Sequence, residues 1–443
     1  MRLIIIEYCT ILFSTIALAQ SGHILQGVGA VNMSMGGAAT GQPLDISGAL
    51  HWNSASISVF DDKILKLDVG LFFSSPELYS TVPEFDSNGM PTGNYFSGNT
   101  KDDRGTSILP NLAMVWGKEE SKHTFGMSAF GISGFGVTFP ESLTNPINMP
   151  QNMGGFGRIE SDYMLLQVGF TWAYKLSEKF SIGIEPTIDY GALELEPNPL
   201  SSPSQTFGYP KSDKTSALGF GAQFGLFFDS GSGFKAGTSY KTNQWFSKYK
   251  FDNTYLDGSD APKVEFEMDY PAILSFGIGY SKGDFDLALD YRTVYYENTK
   301  GFDKVGWTPT ASVQGFGWEN ISILSAGIQF KGIEKLPLRF GYTYSSNPIN
   351  EDVVFFNIPA TAIIKNAFQF GFSFNANSNI KIDALYHHGT SSGKTTGQIL
   401  NPMFIQSYPP YGAISGSEVS YDMTTDMITV GISYTFHKNK EDN

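Results

Sequence analysis

Residues 32–60 read NMSMGGAATGQPLDISGALHWNSASISVF. This segment is rich in glycine and small polar residues, and neither helical nor strand periodicity holds across it. Gly36 and Gly37 allow compact backbone shapes, and apolar side chains such as Leu50 and Trp52 provide surface to bury. We therefore expect the segment to pack inside a closed structure that the rest of the chain forms.

The residues after this segment show the alternation of a β-sheet with two different faces. In the clearest example, Phe368, Phe370 and Phe372 alternate with Gln369 and Ser373. Such period-two patterns predict strands with one apolar and one polar face. We predict about fourteen of them, beginning near residues 64, 106, 123, 159, 179, 214, 233, 268, 283, 321, 335, 365, 378 and 421. The predicted fold class is all-β, a transmembrane antiparallel β-barrel of about 14 strands.

The predicted connections alternate between short and long. Short ones include residues 117–122 and 176–179, and the long ones include residues 76–105 and 250–267. Outer-membrane barrels have this asymmetry, with short periplasmic turns and long extracellular loops. About fourteen strands enclose a lumen too wide for small side chains to fill, so the lumen needs a plug or becomes a pore. We assign residues 20–60 to an N-terminal plug, or hatch, in the lumen and residues 61–436 to the barrel.

Composition excludes several other classes of protein. Charged residues make up 16% and aromatic residues 14% of the chain, whereas charged residues approach about a quarter in soluble proteins. After residue 19 the sequence contains no apolar run of the roughly 20 residues that a membrane-spanning helix needs. The formal net charge of -14 argues against nucleic acid as a partner.

The N-terminus has the pattern of a secretory signal peptide. Arg2 precedes an apolar region that Glu7 interrupts, and Ala17-Leu18-Ala19 fits the small-residue cleavage pattern. We predict a cleaved signal peptide at residues 1–19 and a short periplasmic tail at residues 437–443. The single cysteine, Cys9, lies within the signal peptide, so we expect no disulfide and no thiol chemistry in the mature chain.

The opening segment also carries a family pattern. Gly29-Ala30, Ser34-Met35-Gly36-Gly37-Ala38, Asp45 and Asn53-Ser54-Ala55 follow one another in that order. The series resembles the N-terminal hatch of the FadL/TodX-type transporters of Gram-negative outer membranes, which carry long-chain fatty acids and aromatic hydrocarbons. Ser54 departs from the pattern, because the family usually has Pro there. Blocks at residues 269–280, 286–296 and 339–344 extend the resemblance over nearly the whole chain.

The resemblance implies that the N-terminal hatch gates the lumen. The residues that it assigns to the hatch or gate are Asn32, Ser34, Gly36, Gly37, Asp45, Asn53 and Ser54.

Three glycines late in the third strand interrupt the alternation. Glycines within a strand mark bulges or kinks, where they can take backbone angles closed to other residues. In the resembled family the third strand has an inward kink that opens the wall sideways toward lipid. We therefore assign Gly131, Gly134 and Gly136 to a lateral opening, with an ordinary glycine-rich strand end as the alternative.

The lumen is expected to combine apolar and charged side chains. The candidates that line it are Phe72, Phe130, Ile132, Ile273, Val294, Asp290, Arg292 and Arg339. Apolar lining and a hatch favour passive uptake of hydrophobic molecules, long-chain fatty acids or hydrocarbons, captured at extracellular loops 135–150 and 348–362. A general diffusion porin for small polar solutes is the alternative, and an outer-membrane adhesin or enzyme is a third reading.

The sequence offers little for catalysis. His387-His388 has no serine and carboxylate fixed nearby by the sequence, so we expect His387 to be a polar lumen residue and the protein not to be an enzyme. We expect no cofactor and no metal. The expected partners are a hydrophobic small molecule, outer-membrane lipid and lipopolysaccharide, and the barrel-assembly machinery, around a monomer in the cell outer membrane of a Gram-negative bacterium.

Overall fold

The computed structural model describes residues 22–86 and 91–437. The predicted signal peptide of residues 1–19 lies outside the described residues, as does the predicted tail of residues 437–443 except for His437. Fourteen long strands form the wall of a barrel. They are β1 (Lys63–Phe85), β2 (Thr106–Trp116), β3 (His123–Phe139), β4 (Ile159–Lys175), β5 (Phe180–Glu196), β6 (Thr215–Asp229), β7 (Phe234–Lys241), β8 (Ile273–Lys282), β9 (Phe285–Val294), β10 (Ile321–Phe330), β11 (Leu338–Ser345), β12 (Asn366–Asn375), β13 (Ile380–Thr390) and β14 (Glu418–Phe436).

The sheet closes on itself. Each of these strands pairs antiparallel with its neighbours in sequence, and β1 pairs with β14 from Lys63↔Phe436 to Thr81↔Glu418. Closure removes the free strand edges that lipid could not tolerate. The predicted all-β antiparallel barrel of about 14 strands is therefore confirmed.

The two faces of the wall are distributed as in a membrane barrel. Phe368 and Phe370 on β12 are 44% and 52% exposed, whereas Gln369 and Ser373 on the same strand are 1% and 0% exposed. Apolar side chains point outward and polar ones inward, the reverse of a water-soluble barrel. The inward polar side chains then require hydrogen-bond and ionic partners, and residues 22–60 supply many of them.

Residues 22–60, which we continue to call the hatch, pack against inward-facing side chains of the wall strands. The hatch contains α1 (Gly29–Ser34), α2 (Ile46–Trp52) and a 3-10 helix at Ser54–Val59, and nearly all of its side chains are buried. Asp45 begins α2, because its carboxylate accepts the Gly48 N–H at 3.1 Å and satisfies a helix N-terminal donor.

Two predicted loops contain additional strands. The long connection predicted at residues 76–105 is wrong in part, since β1 continues to Phe85 and the chain returns as the strand Pro91–Lys101. The connection predicted at residues 250–267 likewise holds the hairpin Tyr249–Thr254 and Asp260–Phe266. The strand Tyr249–Thr254 alternates as well, but its apolar side chains Tyr249 and Phe251 are buried and Lys250 is exposed, so it lacks the apolar outer face of a lipid-facing strand.

Most predicted strand starts lie within two residues of the observed ones, and β8 is the largest exception. Its predicted start was residue 268, but the strand begins at Ile273. Pro271 has no N–H to donate to a ladder, and Tyr270 instead forms a single bridge with Gln244. Among the described residues no helix is long and apolar enough to cross a membrane.

The remaining regular elements are short, and two of them extend the barrel sheet: Trp245–Phe246 pairs with β6 and Thr395–Gly397 pairs with β14. They are the strands Lys211–Ser212, Trp245–Phe246 and Thr395–Gly397 and the 3-10 helices Pro146–Asn148, Gln151–Met153, Tyr296–Asn298, Phe355–Ala360 and Pro402–Phe404.

Candidate functional site

Two glycines bring the hatch against the barrel wall. Gly36 and Gly37 have φ angles of 68° and 76°, in the left-handed region that favours glycine. A Cβ on Gly36 would lie 2.6 Å from the carbonyl oxygen of Tyr342 in β11. The Gly36 carbonyl accepts a hydrogen bond from Thr343 Oγ1 at 2.9 Å, so the close approach also forms a contact between hatch and wall.

Two other predicted hatch residues act within the hatch itself. Asn32 Oδ1 accepts the Val28 N–H at 3.0 Å, and Ser34 Oγ donates to the Val31 carbonyl at 2.8 Å. Both side chains are buried and shape the start and end of α1.

Asp45 joins the hatch to β1 through a buried ion cluster. Its Oδ2 lies 2.6 Å from Lys66 Nζ, which also lies 3.1 Å from Asp383 Oδ2 and 3.7 Å from Asp68 Oδ1. Asp68 Oδ1 in turn accepts the Ala30 N–H at 2.9 Å. A buried charge needs such partners, so loss of one member leaves the others uncompensated.

Asn53 and Ser54 form the turn after α2. Asn53 Oδ1 accepts the Ala55 N–H at 3.1 Å, and its Nδ2 donates to the Thr40 carbonyl at 2.9 Å and the Leu226 carbonyl at 3.0 Å. Ser54 opens the 3-10 helix where the family usually has Pro. The Asn53 side chain therefore supports this turn without a proline.

Asp290 and Arg292 bind the hatch backbone from β9. Asp290 Oδ2 accepts the N–H groups of Ala39 and Thr40, each at 2.9 Å. Arg292 Nη2 donates to the Gly37 carbonyl at 2.8 Å and lies 2.6 Å from Asp290 Oδ2. This pair thus fixes the glycine-rich loop between α1 and α2.

The two predicted lumen arginines have different partners. The Arg292 guanidinium lies 3.6 Å from the centre of the Trp52 ring, a cation–π contact to the hatch. Arg339 instead donates to Gln329 Oε1 at 2.7 Å and to Ser373 Oγ at 2.5 Å. Arg339 therefore belongs to a network of wall side chains.

The barrel wall splits between β2 and β3. These strands pair only as far as Phe130 of β3, and a β-bulge follows Gly131 in the pairing of β3 with β4. The Asp103 N–H donates to the Thr138 carbonyl at 2.8 Å and rejoins β3 to the segment before β2. We call the stretch of β3 between these contacts, from Gly131 to Val137, the side gap.

At the side gap β3 passes inside β2. Gly131 lies on the outward side of β3, six residues after the exposed Phe125. A Cβ on Gly131 would lie 3.7 Å from Leu109 Cδ2, and Leu109 shares the inward side of β2 with the buried Asn111. An outward position on β3 therefore faces an inward side chain on β2, which requires β3 to bend toward the lumen.

The three glycines late in β3, Gly131, Gly134 and Gly136, were expected to take unusual backbone angles. The expectation of special angles is wrong, because none of the three has a positive φ. A Cβ on Gly134 would lie 2.9 Å from the Tyr163 carbonyl oxygen, and one on Gly136 would overlap the Arg104 guanidinium. Only Gly131 has room for a side chain.

The hatch begins with a short segment that pairs with β3 in the side gap. We call His23–Leu25 the N-terminal segment. Ile24 forms an antiparallel bridge with Ser133, and the Leu25 N–H donates to the Ile132 carbonyl at 3.1 Å. The N-terminal segment thus pairs with part of the β3 edge that β2 leaves unpaired.

An apolar cavity lies on the inner side of this pairing. Leu25, Met33, Phe72 and Met427 are among the residues that line it. Leu109 of β2 packs against the same cluster. The predicted lumen residue Phe72 therefore lies behind the side gap.

The imidazole of His23 is enclosed by aromatic rings. Their centroids lie 4.9 to 6.4 Å from the centroid of the His23 ring. We call the enclosing residues the aromatic cage; they are Phe135, Tyr163, Tyr270, Tyr296, Phe302 and Trp318. His23 Nδ1 lies 2.8 Å from the Tyr296 hydroxyl, and burial lowers the pKa of His23 to about 3.

The other apolar lumen candidates belong to the apolar core around the cage. Phe130, Ile132, Ile273 and Val294 are all buried in the cluster that also contains the cage residues. The Phe130 ring lies 6.1 Å from that of His51 in α2, so this part of the wall also contacts the hatch.

A second apolar pocket opens among the extracellular loops, and we call it the entrance pocket. Its lining includes Phe156, Trp307, Phe355, Phe356 and Pro359. Of the two predicted capture loops, residues 348–362 contribute to this lining and residues 135–150 do not. Phe355 and Phe356 belong to the same buried apolar cluster as the cage, so apolar packing is continuous between the two sites.

Sequence reasoning missed several residues with contacts in the site. Lys66 and Asp68 were detectable, since charged side chains at inward positions of a strand demand buried partners. His23 and the aromatic cage were not, because the cage residues come from strands and loops far apart in sequence.

A closed barrel with an apolar exterior, a polar lumen and a hatch inside it defines an outer-membrane transport barrel. The family model described as outer membrane protein transport protein (OMPP1/FadL/TodX) matches residues 10–437. The chain belongs to this family of transport proteins, as its sequence predicted, and the family is not one of enzymes.

Solved structures share the fold at low sequence identity. The Pseudomonas putida toluene transporter TodX is 18% identical, with a TM-score of 0.68, over 94% of this chain and 100% of that chain. A Pseudomonas aeruginosa FadL homologue is 15% identical, with a TM-score of 0.71 and the same coverage. The Ralstonia pickettii toluene transporter TbuX is 16% identical, with a TM-score of 0.61, over 93% and 99%. Comparison with curated proteins gave no significant match.

Proposed function

We propose that this protein is a passive carrier for hydrophobic molecules in the outer membrane. A molecule collects in the entrance pocket, moves into the aromatic cage by displacing the N-terminal segment, and leaves through the side gap. Transfer of apolar surface out of water drives capture by about 25 cal/mol per Å². The route requires no energy source and no cofactor.

One observation carries the proposal: the N-terminal segment fills both the cage and the side gap. The His23 side chain lies in the aromatic cage, while the Leu25 backbone pairs with Ile132 in the side gap. The two residues are only two positions apart in the chain. A ligand that displaces His23 therefore also loosens Leu25, so that one displacement opens the binding site and the exit.

The hatch supports a carrier over a general diffusion porin. Its backbone is bound to the wall by Asp68, Asp290, Arg292 and Thr343. A lumen filled in this way favours passage of molecules that dissolve in apolar sites. In this proposal the hatch keeps the barrel closed to water while the N-terminal segment moves.

The names of the structural relatives guide the choice of probe. Two of them are called toluene transporters and another a monoaromatic hydrocarbon channel. We infer a monoaromatic molecule as the first substrate to test, with long-chain fatty acids as the second class. A cleaved signal peptide, a monomeric state, contact with lipopolysaccharide and assembly by the barrel-assembly machinery stay predictions.

The test compares uptake of a hydrophobic and a polar solute of similar size. The protein is expressed in the outer membrane of a host that lacks its own hydrophobic carriers, and entry of labelled toluene and labelled arabinose is measured. We expect toluene uptake to rise several-fold and arabinose uptake to stay at the level of the host. Accelerated arabinose entry through the intact protein would instead establish a porin.

A further inference from the structure

The aromatic cage borders a group of buried polar atoms, several of which lack hydrogen-bond partners. The hydroxyls of Tyr163 and Tyr249 interact with each other. Tyr270 OH, Asp189 Oδ2 and His23 Nε2 have no hydrogen-bond partner among the residues that the structure describes. Each of these residues is at most 2% exposed. Buried polar groups are nearly always paired, so such a cluster indicates a site for a polar ligand atom.

These buried polar side chains lie close to one another. The His23 ring lies 5.9 Å from that of Tyr163 and 5.8 Å from that of Tyr270. The Tyr249 hydroxyl lies against Gly191 of β5, where a Cβ would approach it to 2.0 Å, and Asp189 is two residues away on the same strand. The Asp189 carboxylate is close enough to act electrostatically on all three phenols.

The charges around this group disfavour an anionic ligand. The nearest buried cations already have partners: Lys241 Nζ donates to Gln167 Oε1 at 2.9 Å and is offset by Glu185 and Asp189. Arg292 is paired with Asp290, as described above. A carboxylate ligand would therefore meet the Asp189 carboxylate without a free cation, whereas a hydroxyl could donate to Asp189 and also accept from a phenol.

The side chain inside the cage indicates the shape of the ligand. The His23 imidazole is a flat ring, stacked on Phe302 at 4.9 Å with an interplanar angle of 27°. One of its nitrogens reaches the Tyr296 hydroxyl at 2.8 Å. The cage thus already holds a planar ring that has both apolar faces and a hydrogen-bonding edge.

We propose that the aromatic cage selects a neutral aromatic ring that carries a hydroxyl group, a phenol or an aryl alcohol, over the plain hydrocarbon and over a carboxylate. The ligand takes the place of the His23 ring and directs its hydroxyl to the phenols and Asp189. This inference rests on the proposed carrier function and specifies its substrate class.

The test is equilibrium binding of three matched probes to the purified full-length protein in detergent. They are toluene, 4-methylphenol and 4-methylbenzoate, each corrected for partition into protein-free detergent. We expect 4-methylphenol to bind about tenfold more tightly than toluene, and 4-methylbenzoate to bind more weakly than either.

Single substitutions distinguish the contribution of hydroxyl contacts to ligand binding from the contribution of packing. Tyr163→Phe, Tyr270→Phe and Asp189→Asn should each reduce the ratio of 4-methylphenol affinity to toluene affinity about threefold. Tyr386→Phe is the matched control, because this tyrosine is 49% exposed on the outer face of the barrel. Heat-modifiable migration on gels verifies that each variant is folded.

The outcomes distinguish this inference from the carrier function. Equal affinity for toluene and 4-methylphenol in the folded protein, or tighter binding of 4-methylbenzoate, would overturn the substrate class and leave the carrier function standing. Equal loss of both neutral ligands in the tyrosine variants would overturn the hydroxyl contact and assign these residues to packing. If the folded protein binds none of the probes and does not accelerate toluene uptake, the carrier function itself fails.

Discussion

His23 gives docking of the N-terminal segment a defined pH dependence. Burial lowers the pKa of its imidazole to about 3, and the titratable groups that face it are the phenols of Tyr163, Tyr270 and Tyr296. In the undocked segment the His23 imidazole binds a proton below about pH 6.5, whereas in the docked segment it stays neutral down to about pH 3. Docking is therefore most stable above pH 6.5 and weakens by about 1.4 kcal/mol per pH unit below it.

Thiol labelling measures this effect. The single natural cysteine is Cys9, so Ile24→Cys adds one reactive group that is 1% exposed in the docked segment. We expect its labelling rate, normalised to a model thiol at each pH, to rise about tenfold from pH 6 to pH 5. The same measurement in a His23→Phe background should be flat, and an equal rise there would show that His23 is not the titrating group.

Asp290 stabilises the hatch through two backbone N–H groups and through Arg292. Asp290→Asn keeps the shape of the side chain but leaves a buried guanidinium without its counter-charge. We expect hatch docking to weaken by about 3 kcal/mol, visible as bursts of ion conductance in planar bilayers. Asp286→Asn, on the same strand, is the control, because Asp286 bonds to Gln329 and Lys331 of the wall and its variant should stay closed. Equal conductance in both variants would contradict this assignment.

At the scale of elements, β3 offers a direct way to close the side gap. Gly131 alone among its four glycines has room for a side chain, next to Leu109. Gly131→Leu should fill the space between β2 and β3 and reduce hydrophobic uptake about tenfold, with barrel assembly unchanged. Ala129→Leu adds the same side chain two residues earlier, where β3 is paired with β2, and uptake should stay normal. Undiminished uptake by the folded Gly131→Leu variant would place the exit elsewhere.

The alternation of apolar and polar residues predicted the barrel strands, because a lipid-facing strand must follow that pattern. It did not predict where β1 continues into the extracellular hairpin, since the outward positions there, Glu77, Tyr79 and Thr81, are no longer uniformly apolar. It singled out the glycine-rich end of β3, where the structure has a β-bulge after Gly131. It gave the wrong reason for these glycines, because close packing of a neighbour against Gly136 leaves no periodic signal.

The aromatic cage could not be predicted from the sequence, for a different reason. Its members lie on β3, β4 and the loops around β8 and β9, and only closure of the barrel brings them together. His23 precedes every regular element and has no pattern of its own. The contacts of the hatch were partly predictable, since Asp290 and Arg292 are charges that a lumen must neutralise.

For the whole molecule, we predict that the barrel folds and assembles without its hatch. The wall strands pair with one another around the full circumference except at the side gap, and the hatch adds contacts from inside. Deleting residues 22–57 should leave a heat-modifiable barrel with a steady, raised ion conductance, because the polar lumen then fills with water. An assembled barrel that stays closed in planar bilayers would show that the hatch does not plug it.

Photo-crosslinking can follow the proposed route of a ligand from the aromatic cage to the side gap. A phenyl diazirine is bound to the intact protein in outer-membrane vesicles, activated by light, and its attachment sites are mapped by mass spectrometry. We predict labels on Phe302 and Trp318 in the cage and on Leu25 and Leu109 at the side gap. Labels on Leu44, Ile46 and Ile64 at the periplasmic mouth, with the side gap unlabelled, would contradict lateral exit and establish passage through the hatch.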